Sequence, residues 1–209
     1  SACGRIAVDK AAETLLASAD HFHVMGSSLF SERVVDVVKA GIAAVKAKGG
    51  TVSFDPNVRK EILGTSEMRA AFDAILDQTD LFLPSGPEIF LFAKAKDEAG
   101  AVSELLARGI SAVVIKKGAK GAAFHSAHER ASVPGFAVEE VDPTGAGDCF
   151  GAAFVTHWLR GMAPRDALRL ANAAGALAVT RKGPMEGAST TSEINSFLSS
   201  AQIREEMCS

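Results

Sequence analysis

The stretch VDPTGAGDCFGAAF, residues 141–154, sets three glycines around one aspartate and then runs into an apolar segment. From there on, Ala146, Cys149, Phe150, Ala153, Phe154, His157 and Trp158 recur at helical spacing, which predicts a helix packed along one stripe. A packed helix has a start fixed in space. Its first turn carries backbone N–H groups without intrahelical acceptors and the positive end of the helix dipole, and Gly145 and Gly147 leave that end open to close approach. An anion fits there. Asp148 stands in the same turn, where its carboxylate can point at whatever the amides bind. Such a pairing suits phosphoryl transfer: amides stabilise charge on the moving phosphate while a carboxylate accepts the proton of the attacking hydroxyl. A plainer reading is a tight loop with a capping aspartate.

Two other glycine-rich readings fit less well. A P-loop needs GxxxxGK[ST], and no Gly here is followed by Lys-Ser or Lys-Thr. A dinucleotide fingerprint follows the first strand of its fold, whereas Gly145, Gly147 and Gly151 come late in the chain.

Upstream, HFHVM (21–25), TVSFD (51–55), DLFLP (80–84) and AVVIK (112–116) read as strands, with helices between them. The clearest helix runs from about Ser31 to Lys48, with Val34, Val35, Val38, Ile42 and Val45 on one face and Gly49-Gly50 as its stop. Strands separated by helices predict right-handed crossovers and an α/β fold with a doubly wound, mostly parallel sheet. After Lys116 the pattern changes to two short antiparallel strands, GAAFHSA and ERASVPG, with a turn near Ala127-His128-Glu129. Helices over about 146–160 and 164–180, the polar loop RKGPMEGAST and a last helix complete the chain.

Of the 209 residues 47% are hydrophobic and 22% charged, which is enough for a substantial core in a single domain. A net charge of -3 offers no basic footprint for nucleic acid or an anionic membrane, and no apolar run approaches a membrane span. Cys3, Cys149 and Cys208 form neither an even framework nor a CxxC pair, which points to a reducing, cytoplasmic compartment.

The opening stretch resembles the signature of the PfkB, or ribokinase-like, carbohydrate kinases, and the similarity extends in order along the chain. FDPNVR (54–59), LPSGPE (83–88), IKKGAKGA (115–122) and ANAAGALAVTRKG (171–183) are each similar to a block of that family. The resemblance implies ATP and Mg2+ as cofactors, a monovalent cation such as K+, and a sugar or sugar acid as the small-molecule substrate, in a protein that could form a homodimer. It implies that Asp148 is the catalytic base and that Gly145, Ala146 and Gly147 form the anion hole with it. Lys116, Gly118 and Gly121 would lie beside the ribose and phosphates, and Asn172 beside the adenine. Glu88 would help hold Mg2+ through water, while Asp142 and Thr144, with carbonyls of the Val179 to Ala188 loop, would match the monovalent-cation site. Ser85 departs from the family's usual Asn. Asp55 and Arg59 fall on the substrate side, where the matching arginine of sugar-acid kinases faces a carboxylate.

The family carries, ahead of these blocks, a sheet segment with a small β lid over the sugar. Ser1 to Asp20 reads instead as a helix leading into the His21 strand, so residues 1–209 are expected to form a ribokinase-like nucleotide-binding domain without that lid. Other residues carry blander expectations. The five histidines show no ligand spacing; Cys149, at a helix start, is either a thiol of lowered pKa or a small packing residue; Trp158 and the twelve Phe read as core.

Overall fold

The computed structural model describes residues 6–58 and 65–200. The chain divides into two compact units, Ser1–Val113 and Val114–Ser209.

In the first unit, α1 (Lys10–Ser18) leads into β1 (His21–Met25), followed by α2 (Glu32–Lys46), β2 (Thr51–Asp55), α3 (Ser66–Leu76), β3 (Leu81–Phe82) and α4 (Glu98–Ala107). Strand β4 (Ala112–Lys116) straddles the unit boundary. The pairings β1–β2, β2–β3 and β3–β4 are all parallel, with His21 opposite Thr51, Ser53 opposite Leu81 and Leu81 opposite Ala112. Val52, Phe54, Val113 and Val114 are fully buried, as the unbroken apolar runs of a covered parallel strand require. Helix α2 turns Val34, Val35, Val38, Ile42 and Val45 inward and is capped by the Ser31 hydroxyl, which accepts from Val34 N–H. Behind β3, Asp80 accepts from Lys46 Nζ and from Val52 N–H at 2.7 Å, tying α2 to the strands.

The second unit continues from β4 into the antiparallel hairpin of β5 (Ala122–Ser126) and β6 (Arg130–Val133). Helices α5 (Ala146–Leu159), α6 (Pro164–Val179) and α7 (Thr191–Ser200) follow. Phe150 stacks on Phe154, which meets Phe124 of β5, and Phe136 packs with Ala173, Ala174 and Ile194. These contacts bury one face of α5 and hold its start in place.

The strand order β1-β2-β3-β4-β5-β6 follows the chain. The sheet is mostly parallel with helices between its strands, as the α/β reading expects. The core reading needs correction. Trp158 is half-buried, and Phe30 and Phe90 are 53% and 41% exposed, because each lies at a helix surface or element end rather than on an inward stripe.

Candidate active site

Helix α5 begins at an unusual cap. Gly145 occupies the N-cap in the left-handed region, with φ 83° and ψ -8°, and has no side chain to accept from the helix. Ala146 N–H donates to the Pro143 carbonyl at 3.3 Å, so of the four residues expected in an anion hole Ala146 is the one turned toward its own loop. Among the described residues, the N–H groups of Gly147 and Asp148 donate to no backbone carbonyl. They are the open donors of this helix end.

Asp148 is exposed, and among the described residues its carboxylate makes no hydrogen bond or ion pair. The capping reading therefore fails: the N-cap is Gly145, and no side chain caps α5. Next to it, burial and then the Asp148 charge push the Cys149 thiol up from its ordinary value. Cys149 packs against the cluster around Phe136, as the packing reading expects.

A cavity of about 230 Å³ opens beside this turn. It brings together six of the expected residues, Lys116, Gly118, Gly121, Ala146, Gly147 and Asn172. Lys116 Nζ lies 3.9 Å from where a Gly147 Cβ would stand, so the cation and the open helix end share one side of the cavity. Gly121, at φ 97°, has no room for a side chain, because a Cβ would sit 2.1 Å from the Val133 carbonyl oxygen. That close approach folds the Gly118–Lys120 turn back over the hairpin and shapes the wall. Asn172, 8% exposed, donates from Nδ2 to the carbonyls of Val133 and Pro134, both at 3.2 Å. Phe136, Val138, Gly175 and Ala176 also line the cavity and were not singled out in the sequence. Gly175 and Ala176 fall within ANAAGALAVTRKG, but nothing in the sequence marks Val138.

Asp142 and Thr144 sit where the chain approaches the helix. Asp142 Oδ1 accepts from Thr144 N–H at 3.0 Å and Oδ2 from Gly183 N–H at 2.9 Å. Hydrogen bonds from the Thr144 hydroxyl and from these two N–H groups hold the Asp142 carboxyl below its ordinary range, with Lys182 adding to the effect. The Val179 carbonyl accepts both Val141 and Asp142 N–H, so among the loop carbonyls expected for a monovalent cation this one is already committed.

In the first unit, Asp55 is 2% exposed at the end of β2. Glu88 is partly buried; its Oε1 accepts from Val58 N–H at 2.9 Å and its Oε2 from Ser85 N–H at 2.7 Å. Ser85, the departure from the family pattern, thus starts a short 3-10 turn (Gly86–Leu91) whose first residues Glu88 secures. Asn57 beside it has φ 36°, a left-handed conformation uncommon outside glycine. Arg59, expected to face a substrate carboxylate, lies outside the described residues. Among the described residues no three His, Cys, Asp or Glu side chains converge to hold a metal. His21 instead bonds Thr51 and Ser53, and burial lowers its pKa against the opposing charge of Asp80. Among the described residues no helix is long and apolar enough to cross a membrane.

A glycine-capped helix end with open amides and an uncommitted carboxylate thus adjoins a cavity lined by Lys116 and Glu140. The pattern of the pfkB family carbohydrate kinases matches residues 5–191, and the chain belongs to that family. The 2-dehydro-3-deoxygluconokinase of Bacillus subtilis (strain 168) is 33% identical over 184 residues, covering 87% of this chain and 57% of that protein. An E. coli protein assigned as Ribokinase II, solved in complex with ATP and Mg2+, superposes with a TM-score of 0.91 at 47% identity over 95% of this chain and 64% of that one. A double-mutant fructokinase of Vibrio cholerae O395, solved with fructose, ADP and potassium ion, gives a TM-score of 0.76 at 30% identity over 85% of this chain and 60% of that one. The chain thus spans less than two thirds of each of these relatives.

Proposed function

We propose that the protein is an ATP-dependent carbohydrate kinase that phosphorylates the primary hydroxyl of a sugar or sugar acid resembling 2-keto-3-deoxygluconate. The observation that carries this reading is the uncommitted carboxylate of Asp148 in a helix turn whose Gly147 and Asp148 N–H groups have no backbone acceptor. Asp148 accepts the proton of the attacking hydroxyl, and the amides stabilise charge on the transferred group. Lys116 supplies positive charge on the same side of the cavity, and the turn from Gly118 to Gly121 lies along the ribose.

Mg2+ would supply positive charge that offsets that of the phosphates. Glu88 fits a role through water. Each of its oxygens accepts one backbone N–H and keeps a further lone pair for a metal-bound water. Asp142, itself held by Thr144, accepts from Gly183 N–H and so fixes the loop from Val179 to Ala188, whose carbonyls after Val179 would hold a monovalent cation together with Asp142 and Thr144.

The likeness to 2-dehydro-3-deoxygluconokinase favours a sugar acid as acceptor, with Arg59 as the group that forks its carboxylate. Fructose is the second reading, favoured by the fructokinase likeness. An assay of sugar-dependent ADP release against 2-keto-3-deoxygluconate, fructose and tagatose tests the reading: turnover should be greatest with the sugar acid. ADP release that no sugar increases would contradict it.

A further inference from the structure

We infer that His21 and His23 act through the Ser53 hydroxyl as one proton-binding unit, which takes up a single proton and in which charging His23 dictates which nitrogen of His21 carries its hydrogen. All the groups involved lie in the first unit. The two histidines share a face of β1, since strand side chains alternate, and Phe22 between them turns to the other face against Gly41 of α2. Strand β2 sets Thr51 opposite His21 and Ser53 opposite His23. Ser53 Oγ lies 2.8 Å from His21 Nε2 and 2.7 Å from His23 Nδ1, while Thr51 Oγ1 lies 2.7 Å from His21 Nδ1. Ser53 is fully buried, and among the described residues its hydroxyl meets only these two rings.

A hydroxyl has one hydrogen to donate, and a neutral imidazole has one N–H and one bare nitrogen. The Ser53 hydrogen has to enter one ring, because a buried donor left unbonded is costly. The other ring must then donate to Ser53, or two lone pairs would face each other at hydrogen-bond distance. Two neutral arrangements satisfy this: both rings carry hydrogen on Nε2, with Ser53 donating to His23, or both carry it on Nδ1, with Ser53 donating to His21. The tautomers are matched. When His23 is charged, its Nδ1–H donates to Ser53, Ser53 donates to His21 Nε2, and His21 must carry its hydrogen on Nδ1, where it donates to Thr51. A second proton on His21 would leave the Ser53 hydrogen without an acceptor and set two cations about one hydroxyl. The first proton goes to His23, the exposed ring, since burial holds His21 below its ordinary value. Asp80 pulls the other way on His21, but its carboxylate is already paired with Lys46 Nζ at 2.6 Å. The other charges along this edge are Asp20 beside His21, itself 4.0 Å from Lys48 Nζ, and Asp55, opposite Met25 on the face of the histidines.

A pH titration of the chain followed by proton–nitrogen correlation NMR of the imidazole rings tests this, because a ring nitrogen that bears hydrogen and a bare one differ widely in shift. At about pH 8, above the ordinary histidine value, both rings should be neutral with hydrogen on the same nitrogen. As the pH is lowered His23 should gain its second hydrogen first, while His21 stays neutral with Nε2 bare and Nδ1 carrying the hydrogen. Unlike tautomers at high pH, Nε2–H on a neutral His21 beside a charged His23, His21 charging first, or both rings charging together would each overturn the inference. Ser53→Ala removes the shared hydroxyl, so protonating His23 should then leave the His21 nitrogen shifts unchanged; coupling that persisted would overturn it as well. Should that variant fail to fold, the titration of the unaltered chain decides alone.

Discussion

Gly145 and Pro184 meet backbone to backbone: a Cβ on Gly145 would stand 2.4 Å from the Pro184 carbonyl oxygen. That contact seats the loop after α6 on the start of α5, and with φ at 83° only glycine fits without strain. Gly145→Ala should therefore lower stability by more than about 2 kcal/mol, from a left-handed alanine and a clash with rigid backbone together. Gly118→Ala is the control. Its φ of 57° is also left-handed, yet nothing lies within 4 Å of its Cβ position, so the cost should be about 1 kcal/mol. Urea melts of the two variants check the ranking, and equal losses would refute the contact argument.

A pH-dependent contribution follows from Asp142. Its folded carboxyl is held below the ordinary value of 3.8 by the Thr144 and Gly183 hydrogen bonds, so the folded state favours the ionised form. A depressed carboxyl pKa stabilises the fold above the unfolded value and loses that contribution as pH falls through the folded one. The melting-temperature gap between the natural protein and Asp142→Ala should be full at pH 7 and shrink below about pH 4. A gap that widened on acidification would reverse the sign of the argument.

Much of the fold was legible because its signals are local. TVSFD, HFHVM and AVVIK are strands with the bounds read from their apolar runs, and Ser31 caps the start of α2, whose end at Lys46 comes two residues before the Lys48 read from the Gly49-Gly50 stop. DLFLP narrowed to Leu81–Phe82, since Asp80 turns its carboxylate to Lys46 and Val52, and Pro84 has no N–H to pair. The long-range ties within each unit were not legible. Nothing in sequence spacing predicts that Asn172 beside the cavity bonds carbonyls 38 and 39 residues upstream, or that in the first unit Glu88 accepts from Val58 at a separation of 30. The capping alternative for Asp148 could only be settled by the backbone of Gly145, whose left-handed turn moves the cap off the aspartate.

Lys116 carries a binding prediction. Its amine lies beside the Gly147 end of the cavity, so Lys116→Met should weaken ATP about tenfold or more while changing adenosine affinity little. Titrations with both ligands separate a phosphate-side charge from a general loss of cavity shape, which would weaken adenosine as well.

The central claim is that Asp148 takes the proton of the sugar hydroxyl. Its carboxylate caps nothing, so Asp148→Asn should change stability by no more than about 0.5 kcal/mol, the range of an uninvolved surface substitution. The amides that face the phosphate stay in place, and nucleotide affinity should hold. The decisive measurement is kcat for sugar phosphorylation in Asp148→Asn beside its Kd for ATP. The account predicts a fall in kcat of at least about a hundredfold with Kd unchanged. Turnover within a few fold of the natural protein would contradict it.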